Sequence, residues 1–314
     1  MSDIKIVVLA TGGTIAGVAD SADAVLGYRA GERGVAELLA AAGEAARGGL
    51  AVVGEQVAQI DSKDMSFALW LQLARRVAYW LAQAEVQGVV VTHGTDTLEE
   101  TAYFLQAVLQ PAKPVVLTCA MRPATARLAD GPQNLADAIG VAATPGASGV
   151  VVVCAGVVHA ADAVQKLHGW RLDAFSSGDG GPLGFVEAGQ LRLARNWPTA
   201  SVESIDIAIE NIAKWSEWPR VEIVMSHAGA RGDTVRALVR DGVQGLVVAG
   251  TGNGTVHQDL EAALREAQAA GVRVLRSTRC ALGRVLPVPG AVLPDAGGLS
   301  PVKARIALML ALMA

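Results

Sequence analysis

The chain has 314 residues, 52% of them apolar, and a formal net charge of −4 from 26 basic and 30 acidic side chains. That length favours two hydrophobic cores over one, and that apolar content argues against disorder. No basic stripe offers a footprint for nucleic acid, and no run of roughly 18 apolar residues crosses a bilayer, so neither is expected as a partner.

The opening Met1-Ser2-Asp3-Ile4-Lys5 lacks the basic region of a signal peptide, and the apolar run behind it leads straight into a Gly12-Gly13 turn. Short Val/Ile-rich runs follow at 4–10, 51–57, 88–92, 115–120 and 149–154, with helical patterns near 33–47, 66–84, 98–109 and 132–143 between them. Continuous apolar strands separated by helices predict a mainly parallel sheet with helices on both faces. Asp130-Gly131-Pro132 reads as a helix start, with proline in the first turn. The glycine-rich stretch 178–184 and then 185–193 read as a turn and a hairpin.

Asn196-Trp197-Pro198 and Trp218-Pro219 bracket a polar stretch without clear strand character, read as a linker over 196–219. Strand–helix alternation then resumes: strands at 221–226, 245–250 and 272–277, helices at 233–241, 257–270 and 301–313. The expectation is an α/β protein of two domains, a larger one over 1–195 and a smaller α/β one over 220–314. The Ala-rich end, 304–314, is too short to span a membrane and reads as a packed helix.

Cys119, Cys154 and Cys280 lie in or beside apolar runs without CxxC spacing, so they read as buried free thiols, not as a disulfide framework or a zinc site. His93, His159, His168, His227 and His257 show no ligand spacing, and neither a metal nor a cofactor is expected. With the unsuitable signal-peptide segment, this favours the cytoplasm.

Two strand ends carry most of the chemistry. Ile6–Ala10 runs into Thr11-Gly12-Gly13-Thr14-Ile15, and Gly88–Thr92 runs into His93-Gly94-Thr95-Asp96-Thr97. Glycine lets a ligand approach backbone N–H groups, and open α/β sheets bind ligands at the carboxyl ends of their strands. Two threonine hydroxyls, an aspartate and free N–H groups at one sheet edge suggest attack on a carbonyl. On local sequence alone Thr14 has a second reading, as the hydroxyl cap of the helical turn that follows it.

These two segments resemble the signature segments of the bacterial L-asparaginase family. Asp61-Ser62, Ala120-Met121-Arg122-Pro123, Asp130–Leu135, Lys166, Gly181–Gly184 and Gly252-Asn253-Gly254 follow in the family's order, so the resemblance covers nearly the whole chain. It implies that Thr14 is the nucleophile of an acyl-enzyme and that Tyr28, on a mobile lid between Gly27 and Gly31, contacts its hydroxyl. It implies that Asp96 and Lys166 flank Thr95 and help activate it or the water. Backbone N–H groups of Thr95 and of the Ala120 region would hold the oxyanion. Ser62 would bind the substrate α-carboxylate and Asp96 its α-ammonium. His93 would be structural. Asp61 before Ser62 resembles the cytoplasmic branch.

The resemblance also implies a small-molecule substrate, asparagine with glutamine as a second candidate, and a homotetramer built as a dimer of dimers. Asn253 matches a residue donated across the dimer. Two departures concern the amino end of the substrate. Lys63 stands where secreted members carry a glutamine, and would repel an ammonium unless it turns away. The stretch 279–300 has Asp295 as its single acid and lacks the glutamate that secreted members use. Together they imply weak asparagine binding. Competing readings are a tRNA-linked amidotransferase subunit, which carries an extra N-terminal domain; a dinucleotide binder, whose fingerprint Gly250–Gly254 lacks by spacing; and a catalytically inactive sensor.

Overall fold

The computed structural model describes residues 4–24, 26–47, 49–198 and 207–314, and the chain divides into two compact units, 1–204 and 205–314. Residues 1–3 of the opening segment and 199–206 of the expected linker lie outside the described residues.

The first unit runs β1 (Lys5–Gly12), α1 (Val35–Arg47), β2 (Ala51–Ile60), α2 (Phe67–Leu81), β3 (Val86–Thr92), α3 (Leu98–Leu109), β4 (Val115–Thr118), α4 (Gly131–Ala142) and β5 (Val150–Cys154). It continues through β6 (Val157–Ala160), β7 (Gln165–Lys166), β8 (Phe175–Ser176), β9 (Gly184–Glu187) and β10 (Gln190–Leu193). Eight of these strands form one sheet in the order β10-β9-β6-β5-β4-β3-β1-β2, parallel from β5 to β2 and antiparallel beyond β5. The apolar runs are continuous because both faces are covered. Ile6, Val8, Val90, Val116 and Val151 meet Leu38 and Leu39 of α1 and Leu135 and Ile139 of α4 on one face. Alternation sends Val7, Leu9, Val89 and Val91, all fully buried, to the other, where Trp70 of α2 stacks on Phe104 of α3 with ring centroids 4.9 Å apart. Helix α2 buries Trp70, Leu73, Ala74 and Val77, one stripe at helical spacing, and Ser66 caps it by accepting from the Leu69 N–H.

The β9–β10 hairpin matches the expectation from sequence, but the β5–β6 hairpin and the small β7–β8 pair were not foreseen. The two hairpins turn on Ala155-Gly156 and Ala188-Gly189, with φ of 50° and 74°, and 50° and 75°. Both central residues at positive φ fit the tight turn whose twist suits paired strands, a position that Asn or Asp normally announces. Alanine gives no such signal. Strand β2 runs three residues further than expected, through Ala58-Gln59-Ile60 at the sheet edge.

The second unit holds a short helix α5 (Ile209–Ile212), then β11 (Val221–Met225), α6 (Asp233–Arg240), β12 (Gly245–Gly250), α7 (Gln258–Ala269), β13 (Arg273–Thr278) and α8 (Pro301–Met313). Its three strands form a parallel sheet in the order β11-β12-β13. Val224, Leu246, Val248 and Val274 pack with Val235 of α6 and Leu260 and Leu264 of α7. The protein is thus an α/β protein of two domains. Among the described residues no helix is long and apolar enough to cross a membrane. One thiol departs from expectation: Cys119 and Cys154 are buried, but Cys280 is exposed, since it lies two residues past the end of β13 instead of inside the strand.

Candidate active site

The parallel strands of the first unit follow the order 2-1-3-4-5, which reverses between β1 and β3. Such a switch point opens a crevice at the carboxyl ends of the two strands. The Gly13-Thr14 turn leaves β1 there and the His93–Thr97 loop leaves β3 there. The loops meet backbone to backbone. A Cβ on Gly13, which has φ 79°, would lie 2.3 Å from the Gly94 Cα, and one on Gly94 would lie 2.4 Å from the Ser62 Oγ. Only glycines allow that approach, which brings three loops into contact and sets Thr14, Thr95 and Ser62 around one place.

Thr14 opens a short 3-10 turn whose cap position is Gly13, and no side chain caps that turn. The capping reading of Thr14 is therefore not what the fold uses. Its hydroxyl is instead 2.7 Å from the Tyr28 hydroxyl. Tyr28 sits in a strap from Gly17 to Gly31, closed by paired hydrogen bonds between Val18 and Arg29. Thr125 Oγ1 accepts from the Ala19 N–H, and the Gly17 carbonyl accepts from the Ala124 N–H.

Across the glycine contact, the Lys166 ammonium donates to Thr95 Oγ1 at 2.8 Å and to Asp96 Oδ1 at 2.7 Å. Thr95 is 7% exposed, whereas the Asp96 side chain is 52% exposed, so the carboxylate keeps an open side for a ligand. Ser62 is buried; its Oγ accepts from the Asp96 N–H at 3.2 Å and its carbonyl accepts from the Thr97 hydroxyl at 2.8 Å. The Ser62 hydroxyl proton stays available to an anion. Glu99, in the first turn of α3, accepts from the Lys166 N–H at 3.1 Å and ties β7 to the start of α3.

Ala120 is fully buried in the segment after β4. The Asp130 carboxylate accepts from the Met121 and Arg122 N–H groups at 2.9 Å each, and Asn134 donates to the Cys119 carbonyl. Asp130 thus does more than start a helix: it does not cap α4 but fixes the loop that carries Ala120. Sequence reasoning missed this, and missed Glu99, because an acid at a helix N-cap, like Asp130, or in a first helical turn, like Glu99, already has a sufficient cause there.

His93 is fully buried, and burial pushes its pKa down to about 4. Neutral imidazole fits the network: Nδ1 lies 2.7 Å from the Gly94 carbonyl, which can only accept, so Nδ1 carries the proton and Nε2 accepts from Thr101 Oγ1 at 2.9 Å. Thr101 in turn accepts from the Trp70 indole N–H at 2.9 Å. Both ring nitrogens are occupied, which leaves His93 no lone pair for a reaction.

Asp61 caps the turn Ser62–Asp64, accepting from the Lys63 N–H. The Lys63 ammonium lies between Asp61 Oδ2 at 3.1 Å and Asp64 Oδ2 at 2.9 Å. These bonds, that to Asp64 first, push its pKa up. Its charge is matched locally, which removes the reason to expect strong repulsion of a substrate ammonium. Asn253, in the second unit, makes two hydrogen bonds with the Leu286 backbone, accepting from its N–H at 2.6 Å and donating to its carbonyl at 3.2 Å. Asp295 accepts from the Gly297 N–H. Among the described residues no group of three or more His, Cys, Asp or Glu could hold a metal ion.

Residues 5–199 match the family model "Asparaginase, N-terminal", and residues 220–314 match "Glutaminase/Asparaginase C-terminal domain". This chain belongs to the asparaginase family of amidohydrolases. It is 39% identical to L-asparaginase 2 of Escherichia coli, covering 98% of this chain and 88% of that one. It is 38% identical to a glutaminase-asparaginase of Pseudomonas fluorescens, over 98% and 86% of the two chains. A solved structure described as a probable cytoplasmic L-asparaginase from Campylobacter jejuni superposes with a TM-score of 0.91 at 39% identity, covering 98% of this chain and 95% of that one.

Proposed function

We propose that this asparaginase-family protein hydrolyses the side-chain amide of L-asparagine to L-aspartate and ammonia, with Thr14 as the nucleophile. The observation that carries the reading is the pairing of two hydrogen-bonded hydroxyls across the Gly13–Gly94 contact: Thr14 against Tyr28 on one side, Thr95 against Lys166, which also holds Asp96, on the other. Thr14 Oγ attacks the amide carbon, and the developing oxyanion is held by backbone N–H groups of Thr95 and the Ala120 region, each worth about 3 kcal/mol in such a role. The Thr14 proton passes by way of the neighbouring hydroxyls to the amide nitrogen, which leaves as ammonia. Water, oriented by Thr95 with Lys166 and Asp96, then opens the aspartyl ester. The exposed Asp96 carboxylate binds the α-ammonium and the Ser62 hydroxyl binds the α-carboxylate, contacts of the charge-assisted kind worth about 1.5–3 kcal/mol each. Asp61 serves this end indirectly, through the turn that carries Ser62.

A second substrate, L-glutamine, is favoured by the likeness to the Pseudomonas fluorescens protein, whose name joins both activities. We assign residues 1–195 as the catalytic domain, 196–219 as the linker and 220–314 as the smaller domain. The assembly is a homotetramer made of dimers in which Asn253 completes a partner's site, and the location is the cytoplasm, in keeping with the description of the Campylobacter jejuni structure. Ammonia release across L-asparagine, L-glutamine, their D-forms and N-acetyl-asparagine tests the reading. Turnover of L-asparagine is expected to exceed that of the N-acetylated form, which has no ammonium for Asp96. Absence of ammonia from all five would refute it.

A further inference from the structure

The two buried thiols lie one residue beyond the paired ends of adjacent parallel strands. Thr118 of β4 is in register with Val153 of β5, and the next residues are Cys119 and Cys154. Their sulfurs are 3.7 Å apart, in van der Waals contact, against about 2.05 Å in a disulfide. Cys119 is fully buried and Cys154 is 2% exposed. Neighbours of Cys154, though not Cys154 itself, border an open cavity. Asn134 Nδ2 reaches its sulfur at 4.0 Å and the Leu172 carbonyl accepts from it at 3.7 Å. Asn134, Leu172 and the next residue in the chain, Ala155, line an open cavity of about 500 Å³ together with Asp130, Asp137 and Gly156.

We propose that Cys119 and Cys154 form an oxidative modification site, closed to a disulfide by a peroxide that enters through this cavity. Cys154, nearest the cavity, attacks one peroxide oxygen as the thiolate; the O–O bond breaks, the leaving hydroxide takes up a proton as water, and a sulfenic acid remains on Cys154. The Cys119 sulfur then attacks the Cys154 sulfur, its thiol proton leaves, the S–O bond breaks and a second water departs. Two thiols lose two protons and two electrons, and one peroxide becomes two waters. Cys119 is placed for the resolving step by contact: its sulfur already touches that of Cys154, and it is the more deeply buried of the two, so peroxide reaches Cys154 first.

Closure draws the sulfurs together by more than 1 Å at the residue before Ala120, in a loop held to α4 through Asp130 and Asn134. The bond is independent of the proposed reaction, but its effect on turnover rests on that reading. If Ala120 helps hold the oxyanion, a displacement of that size lowers activity by roughly tenfold or more.

The test uses a Cys280→Ala protein, which removes the exposed thiol of the second unit. The folded protein is treated with hydrogen peroxide, quenched, unfolded, alkylated and digested, with ammonia release from L-asparagine measured before and after. A cross-linked peptide pair containing Cys119 and Cys154 is expected, with loss of activity that dithiothreitol restores. A Cys154→Ala change in the same background is expected to abolish both. Recovery of both cysteines alkylated, under peroxide that already oxidises exposed methionines, overturns the proposal whatever the activity does. A cross-link with unchanged turnover upholds the modification site and counts instead against Ala120 in the reaction.

Discussion

Acidification should unfold this protein through His93 before it does so through the carboxylates. The imidazole is fully buried and neutral, with a pKa near 4 in place of the ordinary value near 6.5. Between those values the unfolded chain binds a proton that the folded chain refuses, so stability rises with pH across the window and falls as pH drops from 6.5 towards 4. The contribution is complete above pH 6.5. A drop from pH 7 to pH 5 should remove about 2 kcal/mol through this one residue. Glu55, held below its usual pKa by its hydrogen bonds to Arg76 and then to Trp80, contributes stability that is lost only as pH falls below about 4.5, so the two windows separate. The assay is urea unfolding at pH 7 and pH 5, followed by tryptophan fluorescence, in wild type and in His93→Asn. The variant is less stable at pH 7, but its loss on going to pH 5 should be smaller than that of wild type by about 2 kcal/mol. An equal loss in both proteins would show that His93 does not titrate in this way, and would refute its assignment as a neutral, doubly bonded structural residue.

Three further outcomes are expected. Gly13→Ala puts a methyl 2.3 Å from the Gly94 Cα at a φ of 79°, so it should destabilise the first unit by about 3 kcal/mol or more and abolish turnover; near-native stability by thermal unfolding would break the contact that joins the two loops. Lys63→Gln should change KM for asparagine by less than about threefold, because exposed ion pairs with Asp61 and Asp64 already match the lysine charge; a large fall in KM would restore the repulsion inferred from sequence. Mixing inactive Thr14→Ala with inactive Asn253→Ala under subunit exchange should recover some activity, and full activity of a dilute monomer would rule out a shared site.

Strands such as Ile6–Ala10 and Val89–Val91 were legible because a parallel sheet covered on both faces demands unbroken apolar runs. Hairpin β5–β6 was not, because alanine at a positive φ carries no turn signal, and Cys280 was misplaced because an apolar neighbourhood in sequence says little about a residue in the loop beyond a strand. In the site, the glycine-flanked threonines stood out, but the reason for the glycines did not. Gly13 and Gly94 are 81 residues apart in the chain, and only the fold shows their backbones in contact. The ties that hold the site in shape, Glu99 to Lys166 and Asp130 to the Ala120 loop, are likewise long-range or hidden behind helix-start chemistry. The threonine at position 14 illustrates the limit most plainly: local sequence allowed a cap, and tertiary contact with Tyr28 uses the hydroxyl otherwise.

The central claim is that Thr14 carries the acyl group. The most direct measurement is rapid acid quench of the enzyme turning over L-asparagine, followed by peptide mass spectrometry, in wild type and in Thr14→Ala, with ammonia release recorded alongside. Wild type should show an aspartyl adduct on the peptide containing Thr14, and Thr14→Ala should show neither adduct nor ammonia while its unfolding curve stays that of a folded protein. Ammonia release by Thr14→Ala within tenfold of wild type, or an adduct on the Thr95 peptide instead, would contradict the account.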